Sequence, residues 1–251
     1  MTIYLMTAGC FLGSINQTIL GPALPSIMVD LSIDASTAQW LTTIFLLVNG
    51  IMIPCTAYLM ARFKTKQLYL LAMILFGLGT FLAGAAHSFV VLIVARVLQA
   101  LSFGVLSPLL SGTVLMMYPP NRRGKAMGTI GMVFSIAPAI GPSVAGFIID
   151  RFSWNTVFLG LVPLIVLDIL VCAVVMPDVG ETHHVDLDKT SVVLSTIGFG
   201  SLLYGFSAVG SFGWTSMHVY VPLVVGVAIT CLFVKRQKGL QTPLLRFETV
   251  K

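Results

Sequence analysis

Charge is what this sequence has least of. Asp, Glu, Lys and Arg together make up 9% of 251 residues, where a soluble domain carries about 25%. That leaves too little polar surface to face water, so hydrocarbon must cover most of the chain. The formal net charge of +5 is then no signal for nucleic acid; it matters for where it falls along the chain. Cysteine is also scarce. Cys10, Cys55, Cys172 and Cys231 each sit in a separate apolar run. That spacing offers no disulfide framework and no CxxC-type site, and it leaves them as small apolar filler. Also missing are a GxxxxGK[ST] phosphate loop, an HExxH metal motif and a credible Ser/His/Asp arrangement. Nothing points to an enzyme, a metal or a resident cofactor. An energised function would draw on an ion gradient or another subunit.

Long apolar runs are what the sequence has in abundance. Hydrophobic residues make up 57% of it, with a mean hydropathy of +0.99. A transmembrane helix needs about 20 mostly apolar residues. Eight stretches meet this, roughly 4–28, 37–60, 67–87, 89–117, 124–149, 154–176, 190–210 and 218–235. The runs are continuous rather than alternating, which argues against a barrel. The expected fold is all-α, a polytopic membrane protein of about eight transmembrane helices enclosed by a lipid bilayer.

Orientation follows from Lys and Arg. With the N-terminus inside, the even-numbered connections hold Arg62, Lys64 and Lys66, then Arg122, Arg123 and Lys125, then Lys189 and the C-terminal group from Lys235 to Lys251. Of 14 basic residues only Arg96 and Arg151 lie elsewhere. The positive-inside rule therefore places both termini in the cytoplasm. The first span has no basic n-region and is too long for a secretory signal. Almost no tail precedes it, which leaves open a clipped reading frame. Pro22 and Pro25 are expected to end it. The polar stretch "PDVGETHHVDLDKTS" divides a first block of helices at 1–176 from a pair at 190–235, with 177–189 as a cytoplasmic linker. His183 and His184 are adjacent and lack further spaced ligands, so a solvated linker is favoured over a metal site.

Several polar residues stand out inside the spans. Asn16, Gln17 and Thr18 are consecutive, so steps of about 100° spread them around the helix. They are open to two readings, hydrogen-bonding glue between helices or the lining of a cavity. Arg96, with Gln99 on the same face three residues on, costs about 2.5–3.5 kcal/mol at a span centre. A functional, cavity-facing arginine is favoured over a snorkelling one. Asp168 has Leu164, Ile165, Val171 and Cys172 as its helical neighbours. Charge is expensive there, and the residue is open to reading as a proton carrier, a tolerated neutral acid or a lesion. The fifth span carries Gly128, Gly131, Gly141 and Gly146 with Pro138 and Pro142. The paired prolines favour a kinked, gate-forming helix over a simple close-packing seam.

These residues resemble the major facilitator superfamily, specifically its fourteen-helix drug:proton antiporter branch. "SINQTILGPALPSI" is similar to that branch's "LDxTIVNVALPxI" at Thr18, Ile19, Ala23, Leu24, Pro25 and Ile27. "ARVLQALSFGVLSPL" resembles "RxxQGxGxGxxxP" at Arg96, Gln99, Gly104 and Pro108. "APAIGPSVAGFIIDRFSW" resembles the antiporter signature "GPxxGPxxGG" at Pro138, Gly141, Pro142 and Gly146. The loop signature "GxLaDRxGRK" reads "AYLMARFKTK", keeping Leu59, Arg62 and Lys66 while Ala61 replaces the acid. The branch's membrane aspartate in the first helix is Asn16 here, so that position cannot carry a proton. Permeases with "LNQT" and "RFTTRQL" are similar at both places.

The resemblance implies export of amphipathic or cationic drug-like molecules in exchange for protons across a bacterial plasma membrane, with the proton gradient as energy source. It implies that Asn16, Gln17 and Thr18 line the cavity, that Arg96 and Gln99 take part in proton linkage, and that the fifth helix gates. It also implies a six-helix bundle, two inserted helices, and a segment from 236 to 251 leading to a second bundle absent from these residues. The chain is then expected to be incomplete, a non-transporting fragment, or one part of a split transporter needing a separate C-terminal half.

Overall fold

The computed structural model describes residues 2–178 and 189–239. Its elements are α1 (Thr2–Asp30), α2 (Ala35–Arg62), α3 (Thr65–Gly84), α4 (Phe89–Met117), α5 (Pro120–Ile149), α6 (Trp154–Val175), α7 (Lys189–Phe212) and α8 (Met217–Gly239). All 8 are long and apolar enough to cross a membrane, and no strand occurs among the described residues. His183, His184 and the tail beyond 239 lie outside the described residues, as do most of the expected linker and of the segment expected to lead to a second bundle.

One expectation fails. Pro22 and Pro25 do not end the first helix; α1 runs through both to Asp30. In water, a lost backbone bond lets the chain turn away and hydrate. Inside a lipid-covered bundle, irregular backbone has no solvent to go to, so neighbouring helices hold the proline-containing segment helical.

Side chains close two of the ends between the first helices. Asp34 caps α2 by accepting the Thr37 N–H at 2.7 Å. That bond and the Ser36 hydroxyl hold the Asp34 carboxyl below the ordinary carboxylate range. The cap is therefore intact at neutral pH and lost only as pH falls through the lowered value. At the end of α4, Arg123 donates to the carbonyls of Tyr118 and Leu115, each at 2.9 Å, which satisfies oxygens the helix itself leaves open.

α1 packs on α4, α5 and α6, while α4 packs on α1, α2 and α3, so these two helices run through the middle of the first six. α7 and α8 form a hairpin attached through α2. The core is built from Met6, Cys10 and Ile19 of α1, Met73 and Phe76 of α3, and Leu106 and Phe158 of α4 and α6. Outside, Leu71, Ile74, Leu78 and Phe81 form an exposed stripe on α3, and Leu164, Leu167, Leu170 and Val174 form one on α6. Such stripes fit acyl chains, not water. Trp154 Nε1 donates to Asp30 Oδ2 at 3.0 Å, and Asn155 Nδ2 donates to Gly84 O at 3.1 Å. These two bonds tie the start of α6 to the ends of α1 and α3. At the other face Lys64 pairs with Asp178 at 3.2 Å, exposed and worth little.

The α3–α4 contact depends on Gly79, where an added Cβ would stand 3.0 Å from both Ala95 O and Gln99 N. Backbone cannot rotate aside. Gly79→Val is expected to lower the melting temperature of the detergent-purified protein, at a cost of about 1–3 kcal/mol. Gly160→Ala, with nothing within 4 Å of the added carbon, should leave the melting curve in place.

Candidate functional site

Among the described residues Arg96 is the largest fully buried side chain, 1% exposed. Helix α4 places it one turn from Gln99, and α1 presents Asn16 to it across the bundle. Its Nη1 donates to Gln99 Oε1 at 2.8 Å and to Asn16 Oδ1 at 3.3 Å. Its Nε donates to Leu41 O on α2 at 3.2 Å. The Phe45 ring centroid lies 4.3 Å from its Cζ, a cation–π contact. These acceptors are all neutral. The two amides close the circuit on α3, where Thr80 Oγ1 accepts from Asn16 Nδ2 at 3.5 Å and from Gln99 Nε2 at 3.4 Å. Four helices thus meet around one guanidinium. Amide oxygens point at it and amide nitrogens point away, the orientation a cation imposes.

Asn16, Gln17 and Thr18 differ in burial. Asn16 is buried in this network, whereas Gln17 and Thr18 are only half-buried. Thr18 donates back to Ile15 O at 3.0 Å and touches Gly141 on α5, where an added Cβ would overlap its hydroxyl. From Phe45 a line of rings continues to Phe103 at 6.2 Å and on to Phe134 of α5 at 6.4 Å.

Helix α5 carries three stripes, each about a third of a turn from the next. Ile130, Ala137, Gly141 and Ala145 are buried, and α1 is the neighbour they face. Met132, Ile136, Ile140, Val144 and Phe147 are bulky and exposed. Gly128, Gly131, Ser135, Pro138 and Pro142 are small and exposed, with Gly146 half-buried beside them. Gly141 therefore serves the α1 contact, and the two prolines and Gly146 lie on a different face.

Asp168 belongs to a second cluster. It is 8% exposed and accepts from Tyr69 Oη of α3 at 2.7 Å. Cys172 Sγ lies 3.9 Å away, and Leu5 O of α1 is 3.3 Å from the same Tyr69 oxygen. No hydrogen bond among the described residues joins this cluster to Arg96. The loop residues form a third place, at the α2–α3 end. Leu59 O accepts the Phe63 N–H at 2.9 Å, Arg62 Nη1 donates to Tyr58 Oη at 2.6 Å, and Lys66 stands in the first turn of α3. Sequence reasoning missed Thr80, Tyr69 and Phe45. Each is a polar or aromatic residue in an apolar run, and nothing local says which helix it faces.

A family model described as Major Facilitator Superfamily matches residues 6–234. The MFS-type transporter YcnB of Bacillus subtilis (strain 168) is 45% identical over 243 residues, 97% of this chain and 52% of that protein. The lincomycin resistance protein LmrB of the same organism is 43% identical over 251 residues, 99% of this chain and 52% of that protein. Multidrug export protein EmrB of Haemophilus influenzae is 32% identical over 228 residues, 90% and 44%. The chain spans about half the length of these relatives. Among solved structures, the peptide transporter POT in complex with sulfate aligns with a TM-score of 0.70 at 15% identity, covering 94% of this chain and 52% of that one. At that identity the likeness is one of fold.

Thr80→Val removes the acceptor both amide groups share. It is expected to destabilise the detergent-purified protein by about 0.6–2 kcal/mol, read as a lower melting temperature. Thr80→Ser keeps the acceptor and should recover most of the loss.

Proposed function

Because the chain belongs to the Major Facilitator Superfamily, we propose that it forms the first bundle, residues 1–176, and the inserted pair, residues 190–235, of a multidrug-type exporter. The proposed activity is export of amphipathic or cationic small molecules in exchange for protons across the plasma membrane, with both termini in the cytoplasm. The names of LmrB, a lincomycin resistance protein, and EmrB, a multidrug export protein, support the substrate class, and the distribution of Lys and Arg supports the orientation.

The observation that carries this reading is the Arg96 network. A guanidinium held only by neutral groups inside a lipid-enclosed bundle is costly. Packing alone would be served by an apolar side chain. A fixed positive charge without a resident anion instead keeps protons and cationic cargo from sharing its surroundings, and it changes the affinity of any nearby acid for a proton. Asn16 cannot titrate. The coupling acid is then Asp168 or a residue of the second bundle, and Gln99 and Asn16 are positioning residues for Arg96.

Helix α5 supports the second bundle. Its exposed bulky stripe suits lipid, but the small stripe through Pro138 and Pro142 suits another helix at close range. Two bundles rocking about a midplane site provide alternating access, with Gln17, Thr18 and the Phe103–Phe134 rings facing the path. α5 slides or bends at the Thr18–Gly141 contact and so acts as the gate.

The test uses everted vesicles carrying the chain joined to its second bundle, with ethidium as cargo and an imposed pH gradient. Arg96→Ala should lower gradient-driven transport by about tenfold or more with unchanged protein level, and Gly141→Leu should do likewise. The 251-residue chain expressed alone should give none. Unchanged efflux in Arg96→Ala would remove the coupling role, and efflux by the chain alone would remove the need for a second bundle.

A further inference from the structure

Helix α7 meets α2 along a seam that is tight near its middle and open at one end. At its middle, Gly50 lies so close to Leu203 that an added Cβ would stand 2.6 Å from it, and a Cβ added at Gly200 would stand 3.7 Å from Ile51. Where α2 begins and α7 ends, the helices part and two adjoining grooves open, sharing Gln39, Thr43 and Ser207.

The lining is graded along the helix axis. Ser36, Gln39 and Trp40 with Tyr204 and Phe212 line the end near the helix termini. Leu46, Leu47, Leu203 and Phe206 line the part deeper in the span. Between the two, Thr43 Oγ1 and Ser207 Oγ are hydrogen-bonded at 2.8 Å. Above that bond the rings of Trp40 and Tyr204 sit 6.2 Å apart and tilted by 34°. No charged side chain lines either groove. The charge at the rim is negative: Asp34 accepts from the groove residue Ser36 at 3.0 Å and is already committed to capping α2.

We propose that this groove holds one membrane lipid with a neutral, hydroxyl-rich headgroup, a glycosyl diacylglycerol. Its sugar lies against Trp40 and Tyr204, and one acyl chain follows Leu46, Leu203 and Phe206. A sugar ring has apolar C–H faces that pack on aromatic faces and hydroxyl edges that pair with Gln39, Ser36 and Thr43. A phosphate headgroup would bring an anion to a lining without a cation, beside the Asp34 carboxylate. A cationic headgroup would find only the Asp34 carboxylate at the rim, already engaged by Ser36 and Thr37. The lipid fills the grooves beside the Thr43–Ser207 bond and so supports the hairpin against α2 where the two helices do not touch.

Native mass spectrometry of the full chain in a sugar-free polyoxyethylene detergent tests this. The protein is mixed with equal amounts of diglucosyl diacylglycerol, phosphatidylglycerol and lysyl-phosphatidylglycerol of matched acyl chains. The glucosyl lipid adduct should exceed either other by about tenfold. Trp40→Ala combined with Ser207→Ala should reduce it to the level of the phospholipids, while Tyr220→Ala, an exposed aromatic on α8 outside the grooves, should leave it unchanged. If the double variant fails to fold, Thr43→Val alone decides, with a several-fold loss expected. Equal binding of the three lipids, preference for a charged one, or an adduct that persists in the groove variants would overturn the proposal.

Discussion

One buried cation organises this bundle. The Arg96 guanidinium draws a side-chain amide from α1, a backbone carbonyl from α2 and a side-chain amide from its own helix, and through those amides it engages Thr80 of α3. Lipid supplies no water to take over any of these bonds. Each acceptor must therefore stay within reach, which fixes the rotation of α1 and α4 about their axes. That rotation in turn decides what the rest of α1 faces. It turns Asn16 inward, leaves Gln17 and Thr18 at the border, and sets Thr18 against Gly141 of α5. The site and the packing are one arrangement.

Around that centre, the remaining contacts are small and numerous. Glycines at the α3–α4 and α7–α8 seams let backbones approach; at Gly226 an added Cβ would stand 2.8 Å from Leu202 N. Lipid tails are as apolar as the core, so close packing and a few polar bonds carry the association. The same logic explains why α5 is the least covered of the first six helices. It binds α1 through a single narrow stripe and leaves its small face open to a further helix.

The sequence made the eight spans legible because hydrocarbon demands whole apolar helices, and eight runs have the right length. Arg96 and Asp168 were legible for the same reason, as charges where charge is costly. Their partners were not. A helical period says which residues share a face but not which helix that face meets, so Thr80 and Phe45 around Arg96, and Tyr69 beside Asp168, emerged only from the fold. Asp168 and Arg96 occupy separate hydrogen-bonded clusters. Pro22 and Pro25 misled because a proline that would end a helix in water is held inside one by its neighbours here. The groove between α2 and α7 had no signature at all, since Thr43 and Ser207 lie 164 residues apart.

The central claim is that Arg96 and Asn16 stabilise the bundle through each other. A double-mutant cycle with Arg96→Met and Asn16→Leu, read by unfolding of the purified protein, measures this directly. A coupling of about 0.5–3 kcal/mol between the two positions is predicted. Additive effects, with no coupling beyond error, would contradict it.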